Sequence, residues 1–113
     1  MANAQLQLLQ GTLDVLVLKT LTWGAQHGYA IARSIRDTTD DELIVEDRAL
    51  YVSLHRMEQR GWVASQWGVS DNNRRAKYYE LTSAGRKQLR AQSVRWERYS
   101  VAVSKVLHAE SAA

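Results

Sequence analysis

The sequence has no cysteine and no proline. Without thiols it can form no disulfide, thiolate zinc site or cysteine nucleophile, which fits a reducing compartment and an expected cytoplasmic location. No apolar run approaches the roughly 18–20 residues that a membrane span needs. The most apolar stretch, residues 13–21, is broken by Asp14, Lys19 and Thr20. The N-terminus shows no basic segment leading into an apolar one with a small-residue cleavage site, so no secretory leader is expected. Internal repeats, low-complexity tracts and flexible linkers are also missing. So are a glycine-rich phosphate cradle and a nucleophile elbow. His27, His55 and His108 lie too far apart for metal-site spacing. His55 and Glu58 are one helical turn apart, but two ligands do not make a site. Asp40-Asp41-Glu42 reads as a solvated acidic loop. No catalytic residue, metal or cofactor is expected.

What remains is a chain of 113 residues, enough for one domain with an adequate core that dimerisation would reinforce. Its net charge of +3 conceals an uneven distribution. Six of the twelve acids (Asp37, Asp40, Asp41, Glu42, Glu46 and Asp47) fall in residues 37–47, which hold no lysine or arginine. Elsewhere fifteen basic residues face six acids, a balance of +9. A basic body with one acidic loop suits a polyanionic partner.

Residues 6–21 carry apolar side chains at 6, 9, 13, 16, 17 and 21, the spacing of a helix with a broad buried stripe. Gly24 and Gly28 bracket its end. A second helix is predicted over 29–36, with Ile31, Ala32 and Ile35 on one face. The acidic loop follows, with a short strand possible at 43–45. Asp47 is the expected N-cap of a third helix over 48–60, where Leu50, Leu54 and Met57 form the buried stripe and Gly61 the stop. Strands are predicted at 62–67 and 77–81 around a turn at 68–73, with Tyr79 and Leu81 facing the same way. Thr82 then caps a last helix reaching about residue 108. The order helix, helix, helix, hairpin, helix is that of a winged helix-turn-helix. The expected class is therefore mainly α with a small β-hairpin wing and a long C-terminal dimerisation helix. Residues 1–82 would form the DNA-binding domain, and 83–113 the dimerisation helix and short tail.

Helix-turn-helix proteins lay the second helix of the motif in the major groove. Opposite the buried stripe of the third helix lie Arg48, Val52, His55 and Gln59, with Tyr51 and Arg56 at the flanks. Arg, His and Gln can donate to base edges or phosphates, and Val52 could meet a thymine methyl. The hairpin brings Arg74, Arg75 and Lys77 next to a turn, where they can neutralise phosphates or enter a narrow minor groove. One lysine would suffice to blunt an exposed hairpin edge; three cations suit an electrostatic clamp.

In the last helix Leu89, Trp96 and Val103 are seven apart, and Gln92, Tyr99 and Val106 complete a second heptad position. Some 26 residues at about 1.5 Å each make a helix about 39 Å long, too long for this body to cover. Leu89, Trp96, Tyr99, Val103 and Val106 are therefore the expected homodimer seam, and a two-fold dimer would present two reading helices about one DNA turn apart. Trp96 and Tyr99 could also line a cleft that stacks a flat aromatic effector.

Over nearly its whole length the chain resembles the PadR-like transcriptional regulators. The resemblance rests on Gly11-Thr12-Leu13-Asp14, His27-Gly28-Tyr29-Ala30-Ile31 and Leu54-His55-Arg56-Met57-Glu58. Its strongest part is Arg74-Arg75-Ala76-Lys77-Tyr78-Tyr79-Glu80-Leu81-Thr82, followed by Ala84-Gly85-Arg86. It implies a dimeric regulator, usually a repressor, that dimerises through its last helix with help from the first and leaves its operator when a small molecule binds. Tyr51 matches the family's DNA-contacting tyrosine, and Arg74, Arg75 and Lys77 its basic wing. Ala49 and Val52 stand where the family usually carries Ser and Pro, which alters the start of the reading helix. The alternative reading is a winged-helix protein-interaction module without operator-specific DNA binding, since the fold also serves that purpose.

Overall fold

The computed structural model describes residues 11–110. Helix α1 (Thr12–Thr20) starts after Gly11, whose φ of 85° is left-handed, and runs into a 3₁₀ turn at Leu21–Trp23. Val17, Leu18 and Leu21 are buried, and Leu13 and Leu16 pack against them, as the apolar spacing predicts. Leu6 and Leu9 lie outside the described residues. The buried Thr20 hydroxyl donates to the Val17 carbonyl at 2.8 Å, so it is satisfied within its own helix.

Strand β1 (Gln26–His27) is only two residues long. Such a strand carries no period, and sequence patterning does not predict it. Helix α2 (Gly28–Thr38) is capped by His27, whose Nδ1 accepts the Ala30 N–H at 3.2 Å. Ile31 and Ile35 form its buried stripe. The acidic loop turns on Asp40 and Asp41, both at positive φ, and Arg36 Nε donates to Asp41 at 3.1 Å. The short strand expected at 43–45 shrinks to a single β-bridge residue, Leu43. Val45 is instead buried and Leu43 packs against the core.

Helix α3 (Asp47–Gln59) has Glu46 at its N-cap position, one residue earlier than expected, and no side-chain hydrogen bond caps it. Asp47 occupies the first turn, where its charge still favours the helix dipole. The other end closes as a Schellman motif: Gly61, at φ 77°, donates to the Glu58 carbonyl at 3.0 Å, and Trp62 N–H to that of Met57 at 2.9 Å. Gly61 is the predicted stop.

Strands β2 (Val63–Val69) and β3 (Arg75–Leu81) pair antiparallel, Val63 opposite Leu81 and Val69 opposite Arg75. β1 adds to the other edge of β3 through Gln26–Tyr79 and His27–Tyr78, giving the order β1-β3-β2. Tyr79 is buried and Leu81 packs against the same core, as predicted.

Thr82 caps helix α4 (Ser83–Leu107), accepting the Gly85 N–H at 3.0 Å while its hydroxyl donates to the Gly61 carbonyl at 2.6 Å. The end of α3 and the start of α4 are thereby locked together. At Gly85 a Cβ would stand 2.0 Å from the Trp62 carbonyl oxygen, so only glycine lets the first turn sit down on the hairpin. Leu89 joins the core of its own chain, which corrects its expected place on the dimer seam.

The core gathers Leu18 and Ile31 from the first two helices, Leu50, Leu54 and Met57 from α3, and Val63 from the sheet. Each such side chain contributes about 1.5–3 kcal/mol by leaving water. Beyond Leu89 no residue of α4 is buried. The helix is about 37 Å long at 1.5 Å per residue.

Candidate nucleic-acid interface

With Leu50, Leu54 and Met57 fixed in the core, α3 turns Arg48, Tyr51, Val52 and His55 outward, all exposed. This is the face expected from its periodicity. Tyr51 is 50% exposed, and its inner side lies against the start of α2. A Cβ on Gly28 would come within 2.5 Å of the Tyr51 hydroxyl, so the missing side chain at 28 makes the seat for this ring.

The hairpin tip is a closed turn. Ser70 N–H donates to the Arg74 carbonyl at 2.8 Å, Asn73 N–H to that of Ser70 at 2.9 Å, and Asn73 adopts φ 60°. The Tyr78 hydroxyl braces the strand end by donating to the Val69 carbonyl at 2.9 Å. Arg75 lies over the exposed Trp67 ring, 4.4 Å from its centroid, an attraction worth about 0.5–1 kcal/mol at such a site. Arg74 is exposed and has no ion-pair partner among the described residues.

Two of the expected DNA-facing cations are engaged within the chain. Arg56 turns toward α1, its Nη2 2.5 Å from both carboxylate oxygens of Asp14. The buried Ser53 hydroxyl donates to the same carboxylate at 2.5 Å. Lys77 lies 3.3 Å from Glu58, which also accepts the Ser65 hydroxyl. The Ser65 bond holds the Glu58 carboxyl below its ordinary range against the opposing effect of burial, with Lys77 and His55 adding to the lowering. Burial pushes the Tyr79 hydroxyl up; Lys77 opposes the shift and Glu58 adds to it. Sequence reasoning does not pair Asp14 with Ser53 and Arg56, or Glu58 with Ser65 and Lys77. Asp14 lies 39 and 42 residues from its partners, and only the folded chain brings them together.

On α4, Trp96, Tyr99, Val103 and Val106 are exposed, together with Val94, Val101 and Leu107. The Trp96 and Tyr99 rings are 6.1 Å apart and tilted by 33°. They open onto a groove of about 590 Å³ between α4 and α1, whose walls include Gln92, Arg95 and Asp14. Among the described residues no group of three or more His, Asp or Glu is placed to hold a metal ion, and no helix is long and apolar enough to cross a membrane.

Comparison with known proteins connects these features. The family described as the transcriptional regulator PadR-like family matches residues 17–91. An uncharacterised protein of Lysinibacillus sphaericus is 30% identical over 83 residues, 73% of this chain and 75% of that protein. Among solved structures, a transcriptional regulator from Clostridium thermocellum superposes with a TM-score of 0.77 at 29% identity, covering 85% of this chain and 90% of its own. A PadR family transcriptional regulator from Eggerthella lenta gives 0.75 at 32% identity, covering 89% and 86%. The fold is shared as well by a PadR-like regulator of Bacillus cereus, with a TM-score of 0.75 at 23% identity over 89% of this chain and 96% of that one.

Proposed function

This chain belongs to the PadR-like family of transcriptional regulators, and we propose from that premise that two copies joined along α4 bind a palindromic operator and repress transcription until a flat aromatic effector releases them. The observation that carries this reading is the pairing of two outward surfaces. The exposed face of α3 carries Arg48, Tyr51, Val52 and His55, and Arg74 and Arg75 stand at the tip of the wing. In this scheme Arg48, Arg74 and Arg75 neutralise phosphates, while Tyr51, Val52 and His55 choose the sequence. Arg56 and Lys77 add positive potential, reduced by their carboxylate partners Asp14 and Glu58.

Residues 1–82 act as the DNA-binding unit and 83–113 as the dimerisation helix and tail, with Leu89 serving the body of its own chain. The stripe of Trp96, Tyr99, Val103 and Val106 closes the dimer, because an apolar helix face of that length is rarely left in water. The groove beside Trp96 and Tyr99 receives the effector, stacked on the two rings.

Selection of bound fragments from the source genome with purified protein would supply the operator. On that fragment the Arg74→Ala/Arg75→Ala variant should bind more weakly. Four cations are removed per dimer, so its log–log salt dependence should flatten by up to about 3.6. A folded double variant with unchanged affinity and slope would remove the wing from the interface. An aromatic effector should quench Trp96 fluorescence; equal quenching in Trp96→Ala would move the pocket elsewhere.

A further inference from the structure

Asp14 takes part in two surfaces at once. In the first turns of α1 it forms one wall of the groove, beside Gly11 and Val15 and opposite Gln92, Trp96 and Tyr99 of α4. Its carboxylate reaches α3, accepting the Ser53 hydroxyl and the Arg56 guanidinium, each at 2.5 Å. Ser53 is only 2% exposed. Ser53 and Arg56 are one turn apart and immediately follow Val52 and His55, two residues of the outward face. One carboxylate therefore fixes the roll of the reading helix against the wall of the groove.

We propose that Asp14 is the positioning residue that couples occupancy of the groove to the setting of α3, and hence to operator affinity. The inference rests on the functional reading of α3 and the groove given above. A planar molecule wedged between α1 and α4 meets an α4 that is pinned at its start by Gly85 against the Trp62 carbonyl and by Leu89 in the core. The first turns of α1 are then the part that yields, and Asp14 moves with them. Helix α3 must follow, or give up its charge-assisted hydrogen bonds to Asp14. In either case the angle between the two reading helices of a dimer changes. Asp14 is an anion and gives a phosphate nothing to bind, so its effect is on coupling rather than on contact.

The test uses the full chain, the operator fragment and 8-anilinonaphthalene-1-sulfonate as the aromatic probe. Energy transfer from tryptophan that is lost in Trp96→Ala places the probe in the groove; transfer unchanged in Trp96→Ala overturns the groove and the coupling together. The readout is a ratio, the operator Kd with saturating probe over the Kd without it. The wild-type ratio should be about tenfold, inside the range of five- to 150-fold usual for coupled sites. Asp14→Asn should bring it below about twofold, whatever happens to the Kd itself. Arg56→Lys, which keeps a cation on Asp14, should retain the coupling, and Arg56→Met should lose it. If Asp14→Asn does not fold, Ser53→Ala removes one of the same bonds and should lower the ratio. A wild-type ratio in the folded Asp14 or Ser53 variant overturns the role of Asp14 alone. A ratio of one in the wild type, with probe and operator both bound, overturns the effector reading and the coupling with it.

Discussion

A methyl group at position 28 would stand 2.5 Å from the Tyr51 hydroxyl and 2.8 Å from the ring carbon that bears it. Gly28 is the first residue of α2 and does not hold a left-handed φ, so its backbone accepts alanine without strain. Alanine is also the better helix former, by up to about 1 kcal/mol. Tyr51 is half exposed and can swing outward, losing ring contact worth on the order of 1–2 kcal/mol. The two effects nearly cancel, and the stability of Gly28→Ala should stay within about 1 kcal/mol of wild type, a shift of at most about 8 °C in Tm. Recognition should not be spared. If Tyr51 contacts DNA in each half-site, displacing it costs on the order of 1–3 kcal/mol twice over, so binding weakens at least about thirtyfold. Fluorescence anisotropy on a labelled operator and scanning calorimetry read the two quantities separately. Combining Gly28→Ala with Tyr51→Ala should add nothing further, because the three atoms nearest the methyl all belong to Tyr51. Wild-type affinity in Gly28→Ala would refute the reasoning, as would an equal further loss when Tyr51 is already alanine.

Gly85→Ala should behave in the opposite way. Its methyl meets the Trp62 carbonyl oxygen at 2.0 Å, a backbone atom that cannot turn aside. A destabilisation of about 3 kcal/mol and a Tm lower by more than about 10 °C are expected; an unchanged calorimetric Tm would contradict the packing described here. At Glu58 the folded-state pKa is lowered, first by the Ser65 hydrogen bond and then by Lys77, against burial. The stability this group contributes is therefore full above the ordinary carboxylate range and fades as pH falls through that range toward the lowered value. Denaturant unfolding of wild type and Glu58→Gln should show a gap that shrinks as pH falls through the ordinary carboxylate range and below it. A gap that is constant or grows would show that Glu58 is not held as an ion.

The elements with a period were legible in the chain. The stripe of Leu50, Leu54 and Met57 was enough to orient α3, and once those side chains are buried Arg48, Val52 and His55 can only face outward. The cap at Thr82 and the stop at Gly61 were readable for a similar reason, since each acts through neighbours within four residues. What escaped depends on contacts distant in sequence. Strand β1 exists because β3 has a free edge beside Gln26, not because of its own two residues. Arg56 reads as a surface cation until α1 delivers Asp14 to it, and Lys77 until α3 delivers Glu58. Leu89 fits the heptad arithmetic of α4, but the body reaches one turn further along that helix than the heptads show, and takes it for the core.

Operator binding as proposed requires a dimer along α4 that carries two reading helices and two wings to one duplex. Sedimentation equilibrium tests this most directly, run on the full chain alone and then with its operator in dilute salt. It should return twice the 12.8 kDa chain mass at micromolar protein, and then a complex of two chains per duplex that dissociates as salt is raised. A species that keeps the mass of one chain at every concentration, and sediments free of the duplex, would contradict it.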